Sequence, residues 1–272
     1  MKRKSFIKTL ILSSGVLLLS PGSIFPSSID KKNITALTIF NNIGNKNNFI
    51  NQWGLSIWIE DRNDALLFDT GGNASILWNN IKKAGIDINK LSKIIISHNH
   101  SDHTNGLSFI LDKTNFKPEV YVPDHVLTIF KQKNPEVKFT GVKDPMQINS
   151  YTWSTGQLAG SYNSTTLYEQ SIIIIQNNLI YLFTGCAHPG IIEIVEKTKK
   201  VHPDKEIYLA GGGLHLLQYS KNKIKIISDK LKNLQVKRLA PSHCTGESAI
   251  NILKKEWKNK FIDFYNGNSI KI

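Results

Sequence analysis

Residues 94–107, "IIISHNHSDHTNGL", run from an apolar stretch into three histidines and an aspartate packed within six positions. Unbroken isoleucine without alternation has the pattern of a strand covered on both faces, which places it in a sheet buried between other layers. The chain repeats the arrangement. "ALLFDTGG", "YLFTGCAHPG", "YLAGGGLHLL" and "RLAPSHCTGE" each join a short apolar run to an acid, thiol or imidazole near a glycine or proline. Between them lie helix-like segments: "NASILWNNIKKAGI" with a glycine stop, "NGLSFILD", "DHVLTIFKQK", a stretch near 190–200, "KIKIISDKLKNL" and "ESAINILKKEWK". Further strands are predicted at "ITALTIF", "LSIWIE", "EVYVP" and in the tail, and "QSIIIIQNNLIYLFTG" reads as a hairpin turning at Asn177 and Asn178. Residues 134–165, rich in Asn, Ser, Thr and Gly, favour turns, edge strands or a lid. Strand and helix alternate in both halves, so the fold class is α/β, with two sheets sandwiched between helices.

The histidines carry the chemistry. His98 and His100 are two apart and project the same way from a strand end, while Asp102 and His103 follow on the turn. Imidazole and carboxylate suit Zn(II) first, with Mn(II) or Fe(II) as alternatives, and four such groups could feed one or two adjacent ions. A hydrated polar turn would need neither the flanking apolar strand nor partner histidines elsewhere. Partners exist in His188, His215 and His243, each directly after an apolar strand, where loops at neighbouring strand ends converge in an α/β fold. His125 in a helix and His202 before Pro203 read instead as structural or solvated.

At 272 residues, 40% hydrophobic and 20% charged, the chain is long enough for one sizeable core and is not of disordered composition. Its formal charge of +13 falls to +9 once the four basic residues Lys2, Arg3, Lys4 and Lys8 are set aside. Those four sit in an N-terminal segment, 1–28, with a basic start, an apolar stretch from Ile7 to Leu19 and then small residues and prolines, the order of an export signal. "RKSFIK" is similar to a twin-arginine signal with Lys4 in place of the second arginine; a retained membrane anchor is the alternative. The remainder, 29–272, then forms one exported domain with no further membrane span. Its lysines are scattered and no nucleic-acid motif occurs, so no nucleic-acid partner is expected; the charge reads as a solvated surface or, as the functional alternative, as attraction of a small, anionic substrate. Two cysteines, Cys186 and Cys244, are too few for a disulfide framework; in an exported chain they could pair, or serve the site beside their neighbouring histidines.

"SHNHSDH" resembles the HxHxDH signature of the metallo-β-lactamase superfamily, and "LLFDTGG" the strand and turn that precede it there. "WGLSIWIE", "TGCAHPGI", "GGGLHL" and "SHCTG" are similar to the subgroup named for 7,8-dihydropterin-6-methyl-4-(β-D-ribofuranosyl)aminobenzene-5′-phosphate synthase. The resemblance, over about 34–272, implies an αββα four-layer sandwich, two mixed β-sheets flanked by helices, with a divalent-metal site at the sheet edges. It matches His98 and His100 to a first-metal pair, Asp102 and His103 to a second-metal pair, and His243 to the histidine that closes the second site. Cys186 occupies the position of an aspartate that bridges the metals in most relatives, and no suitable histidine precedes it; His188 is the candidate for the missing first-metal ligand. Cys186 reads either as a metal ligand or as a buried inert thiol, and Cys244 as packing around the site. Asp69 reads as the partner that orients a ligand histidine, or as a cap for its own turn, and His215 as a substrate contact or proton donor, or as a core histidine.

The implied reaction is hydrolysis of a small molecule by a metal-bound hydroxide, with Asp102 orienting the nucleophile or taking its proton. The alternatives are the subgroup's condensation of a pterin with a ribosyl-arene phosphate, and a metal-stabilised binding protein without catalysis.

Overall fold

The computed structural model describes residues 33–44 and 48–272. The expected export signal at 1–28 lies outside the described residues. In chain order the strands and helices are β1 (Thr35–Asn41), β2 (Leu55–Glu60), β3 (Ala65–Phe68), α1 (Ala74–Lys83), β4 (Leu91–Ile95), α2 (Ser101–Thr104), α3 (Leu107–Lys113), β5 (Glu119–Pro123), α4 (Leu127–Lys133) and β6 (Phe139–Val142). Then follow β7 (Met146–Gln147), β8 (Thr152–Ser154), β9 (Leu158–Tyr162), β10 (Thr165–Glu169), β11 (Ile172–Gln176), β12 (Leu179–Thr184), α5 (Ile191–Val201), β13 (Glu206–Gly213), α6 (Lys221–Asn233), β14 (Arg238–Ser242), α7 (Glu247–Trp257) and β15 (Ser269–Lys271).

Two mixed sheets result, one ordered β15-β1-β2-β3-β4-β5-β6 and the other β14-β13-β12-β11-β8-β7. Period-two alternation explains how they stack. Ile57 and Ile59 of β2, Leu66 and Phe68 of β3, and Ile172 and Ile174 of β11 share one apolar cluster between the sheets. The opposite faces of the same strands pack outward. Trp58 and Leu67 meet Leu77 and Ile81 of α1 and Ile110 of α3, while Ile173 and Leu182 meet Ile194 of α5, Leu231 of α6 and Leu253 of α7. Helix, sheet, sheet, helix is therefore the layer order, as the sequence predicts. Among the described residues no helix is long and apolar enough to cross a membrane.

Local differences from the sequence reading have simple causes. Asp124–Val126 form a tight 3-10 turn that opens α4, so that helix starts later than its sequence pattern implies. Asp102 and His103 sit on a one-turn helix, α2, rather than in open loop. The polar segment from 134 becomes edge strands, and β9 pairs only with β10, a strand absent from the sequence reading. At the predicted hairpin, Asn177 and Asn178 have φ of 49° and 68°, the left-handed pair that a two-residue turn between twisted strands requires.

Buried Asn80 of α1 ties the helix layer to the sheet: its amide donates to the carbonyls of Ile39 and Ile50, and its oxygen accepts from Ile50 N. Replacing it by alanine orphans those groups and should lower stability by about 3 kcal/mol. A drop in Tm of roughly 10 °C, read by circular dichroism, is expected.

Because β3 and β4 run parallel, as do β12, β13 and β14, their C-terminal ends lie together within each sheet. The polar residues that follow each apolar run are thereby delivered to one rim.

Candidate metal centre

The rim is organised by Asp69, fully buried and held at φ 60°, a strained value for a non-glycine residue. Its Oδ1 accepts from Ser97 N at 2.7 Å and its Oδ2 from Ser97 Oγ at 2.7 Å, while Oδ2 also meets His103 Nδ1 at 2.7 Å. That contact fixes the His103 ring and leaves its Nε2 facing Asp102 Oδ2 at 3.5 Å and Cys186 Sγ at 3.3 Å. His98 is oriented in the same way by Ser97 Oγ on Nδ1 at 2.9 Å, with Nε2 3.0 Å from His100 Nδ1. His243, also at positive φ, is held by Asn42 Oδ1 at 2.8 Å from Nδ1, and its Nε2 lies 3.3 Å from Asp102 Oδ2.

His188 enters from the second sheet. Its ring stands 4.8 Å from His98 and 5.0 Å from His100, and both of its buried ring nitrogens lack a hydrogen-bond partner. Glu169, which sequence reasoning missed, positions it. This buried carboxylate ends β10 and accepts from the backbone N–H groups of Cys186, Ala187 and His188 at 2.9, 2.8 and 2.8 Å. Gly185 lets the turn come close: a Cβ there would lie 2.1 Å from Ser97 Oγ. Gln170 stitches the layers beneath, giving its amide to Ile96 O and its backbone N–H to Ser97 O. An acid three residues before an apolar run, in "YEQSIIII", was the only signal of Glu169 in the sequence.

Donor atoms therefore gather in two neighbouring sets, each within 4.8 Å: His98, His100 and His188, and Asp102, His103 and His243. Cys186 joins a third set with His98 and His103. Ions bound at about 2.1 Å hold their donors roughly 3–4 Å apart, so small movements suffice. Protonation favours ligation at most positions. Burial pushes His98 well down and His188 down to about 3, reinforced by neighbouring histidines, and burial also lowers His100. Burial would raise the Asp102 carboxyl, but hydrogen bonds from His103 and His243 hold it well below the usual range. Burial opposes a charge on His103, yet Asp69 and Asp102 lift it to about 10, so an ion arriving at its Nε2 must displace a proton. Burial and the adjacent Cys244 push the Cys186 thiol up.

His215, at φ 52°, has its ring 4.4 Å from His188 and a buried Nδ1 without a partner. It lines two adjoining cavities of about 410 and 430 Å³. Trp53, Tyr162 and Tyr219 wall the first, and Tyr219, Lys223 and Lys230 the second. Tyr162, near the tip of the β9–β10 hairpin, lies 4.5 Å from the His100 ring, and Trp53 lies 4.8 Å from His243. Neither aromatic was singled out from the sequence, since both sit in polar turn-rich stretches. Cys244 reaches the first cavity and, like Cys186, is a buried free thiol. His125 and His202 stay away from the rim, beside Tyr168 and Trp153 respectively.

Comparison with known proteins agrees with this fold. The family model of the metallo-beta-lactamase superfamily matches residues 54–243. A 7,8-dihydropterin-6-methyl-4-(β-D-ribofuranosyl)-aminobenzene-5′-phosphate synthase from Methanocaldococcus jannaschii is 26% identical, covering 82% of this chain and 91% of that protein. Among solved structures, a metal-dependent hydrolase of the beta-lactamase superfamily superposes with a TM-score of 0.72 at 23% identity, over 88% of this chain and 99% of its own. The metallo-beta-lactamase fold protein YhfI from Bacillus subtilis gives 0.61 at 14% identity, over 89% and 100%.

Proposed function

This chain belongs to the metallo-β-lactamase superfamily, and on that premise we propose that it is a metal-dependent hydrolase of a small, anionic molecule. The observation that carries the reading is the convergence of six imidazole and carboxylate donors, from both sheets, on one rim beside a cavity. His98, His100 and His188 would hold one divalent ion, and Asp102, His103 and His243 a second. The mixture of imidazole, carboxylate and a nearby thiol suits Zn(II) better than Mn(II) or Fe(II). When bound, such ions supply Lewis acidity, lowering the pKa of coordinated water from 15.7 to roughly 7 and polarising the group attacked.

The protein's own groups do the rest. Asp69 and Ser97 orient His103 and His98, the outer contacts that fix ring tautomer and angle. Asp102, ionised and partly exposed between His103 and His243, orients the attacking water or accepts its proton. His215 faces both cavities with a free Nδ1 and is placed to give a proton to the departing group. Trp53 and Tyr162 narrow the mouth around a flat substrate, and Lys223 and Lys230 attract its negative charge.

The test is metal analysis of the purified chain together with turnover of phosphodiester, lactam, lactone and thioester substrates. One or two ions per chain, loss of turnover on chelation and recovery with Zn(II) are expected; undiminished turnover by metal-free protein would refute the reading. A second reading, condensation of a pterin with a ribosyl-arene phosphate, is favoured by the 26%-identical synthase. It predicts a coupled product from those two substrates and no hydrolysis of the panel.

A further inference from the structure

Two thiols stand beside the rim outside the six proposed ligands, although Cys186 lies within reach of His98 and His103 as a further donor. Cys186 follows β12 and Cys244 follows β14, 58 residues apart in the chain, yet their Sγ atoms and a ring nitrogen of His243 lie within 4.8 Å of one another. Cys244 Sγ also donates to Cys186 O at 3.5 Å. Gly213 makes room for both, since a Cβ there would come within 2.7 Å of Cys244 Sγ and 3.2 Å of Cys186 Cα. Cys244 lines the cavity of about 410 Å³ that Trp53 and Tyr162 wall, so a small oxidant has a route to its sulfur.

We propose that Cys186 and Cys244 form an oxidisable dithiol, closed to a disulfide by a hydroperoxide-class oxidant and reopened by a dithiol reductant. Closure brings the two sulfurs from within 4.8 Å to a bond of about 2.05 Å. In the first step the Cys244 sulfur attacks a peroxide oxygen; the O–O bond breaks, one water leaves and a sulfenic acid forms. In the second, the Cys186 sulfur attacks that of Cys244; the S–O bond breaks and a second water leaves. Two thiols and one hydrogen peroxide thus give one disulfide and two waters. Closure swings Cys186 Sγ away from His103 Nε2, now 3.3 Å distant, and removes the thiol from the donor set that includes His98 and His103. The oxidised protein therefore retains metal less tightly.

Hydrogen peroxide on the purified chain is the probe, with thiols then blocked under denaturing conditions and the protein digested. The expected result is loss of both alkylatable thiols, a mass decrease of about 2 Da and a linked peptide pair carrying Cys186 and Cys244, all reversed by a dithiol. Zn(II) retained after desalting should fall several-fold in the oxidised form and recover on reduction. Over-oxidation of either sulfur without a linked pair, or thiols that survive peroxide untouched, would overturn the dithiol. A linked pair with unchanged Zn(II) would overturn its coupling to the rim. Cys244→Ser should give no linked pair, and because the wild-type chain supplies the main readout, that variant's folding does not decide the outcome. Thiol and mass readouts need no substrate, so they stand or fall separately from the proposed hydrolysis.

Discussion

Changing Asp102→Asn should lower kcat/KM roughly a thousandfold or more, the range for losing a positioned proton acceptor. The carboxylate takes contacts from Nε2 of both His103 and His243, and those two contacts are what keep it ionised. An amide of the same shape cannot accept a proton and binds a cation far less well, so the second donor set is left with two imidazoles. Stability should fall modestly as well, because the amide loses the charged contacts to buried His103 and His243. Three measurements on one preparation separate the outcomes: kcat/KM, metal per chain and Tm. Unchanged turnover would remove Asp102 from the reaction, whereas metal bound in both proteins with turnover in neither would point to the binding-protein reading.

Much of this rim was legible because the chain advertises strands and ligands in the same stretches. Uninterrupted apolar runs mark strands between layers, and a histidine directly after such a run has nowhere to lie but the strand-end rim. His98, His100 and His103 announce themselves by crowding, while His188, His215 and His243 do so by position. Other parts are invisible for a physical reason: they act through backbone groups or through distant partners. Asn42 meets His243 across 201 residues, and nothing about an asparagine in a turn names its partner. The β9–β10 hairpin stands apart from both large sheets, with Tyr162, Thr165 and Thr166 exposed, so burial leaves little alternation there for the sequence to show. Its last residue, Glu169, serves three backbone N–H groups, which every residue except proline possesses and no sequence pattern records.

Glu169→Ala should be the most destabilising change at the rim. Three N–H groups at Cys186, Ala187 and His188 lose their acceptor, in a turn where Ala187 holds φ 60°. Each orphaned buried donor costs about 1–3 kcal/mol, so a loss of about 4 kcal/mol is expected after partial relaxation. Urea unfolding should show it as a lower midpoint with an unchanged slope. Metal retention should fall too, since His188 rides on the same turn. Burial, outweighing those N–H bonds, holds the Glu169 carboxyl up at about 7, against an ordinary value of 4.5. A raised value in the folded chain means that its contribution is full below 4.5 and is lost as pH rises through 7. Wild-type stability should therefore slope downward across that window. Glu169→Gln, which keeps one carbonyl oxygen toward the turn but cannot ionise, should flatten the slope while recovering part of the loss seen with alanine. If the glutamine and alanine proteins unfold alike at every pH, the carboxylate is not what holds the Cys186 to His188 turn in place.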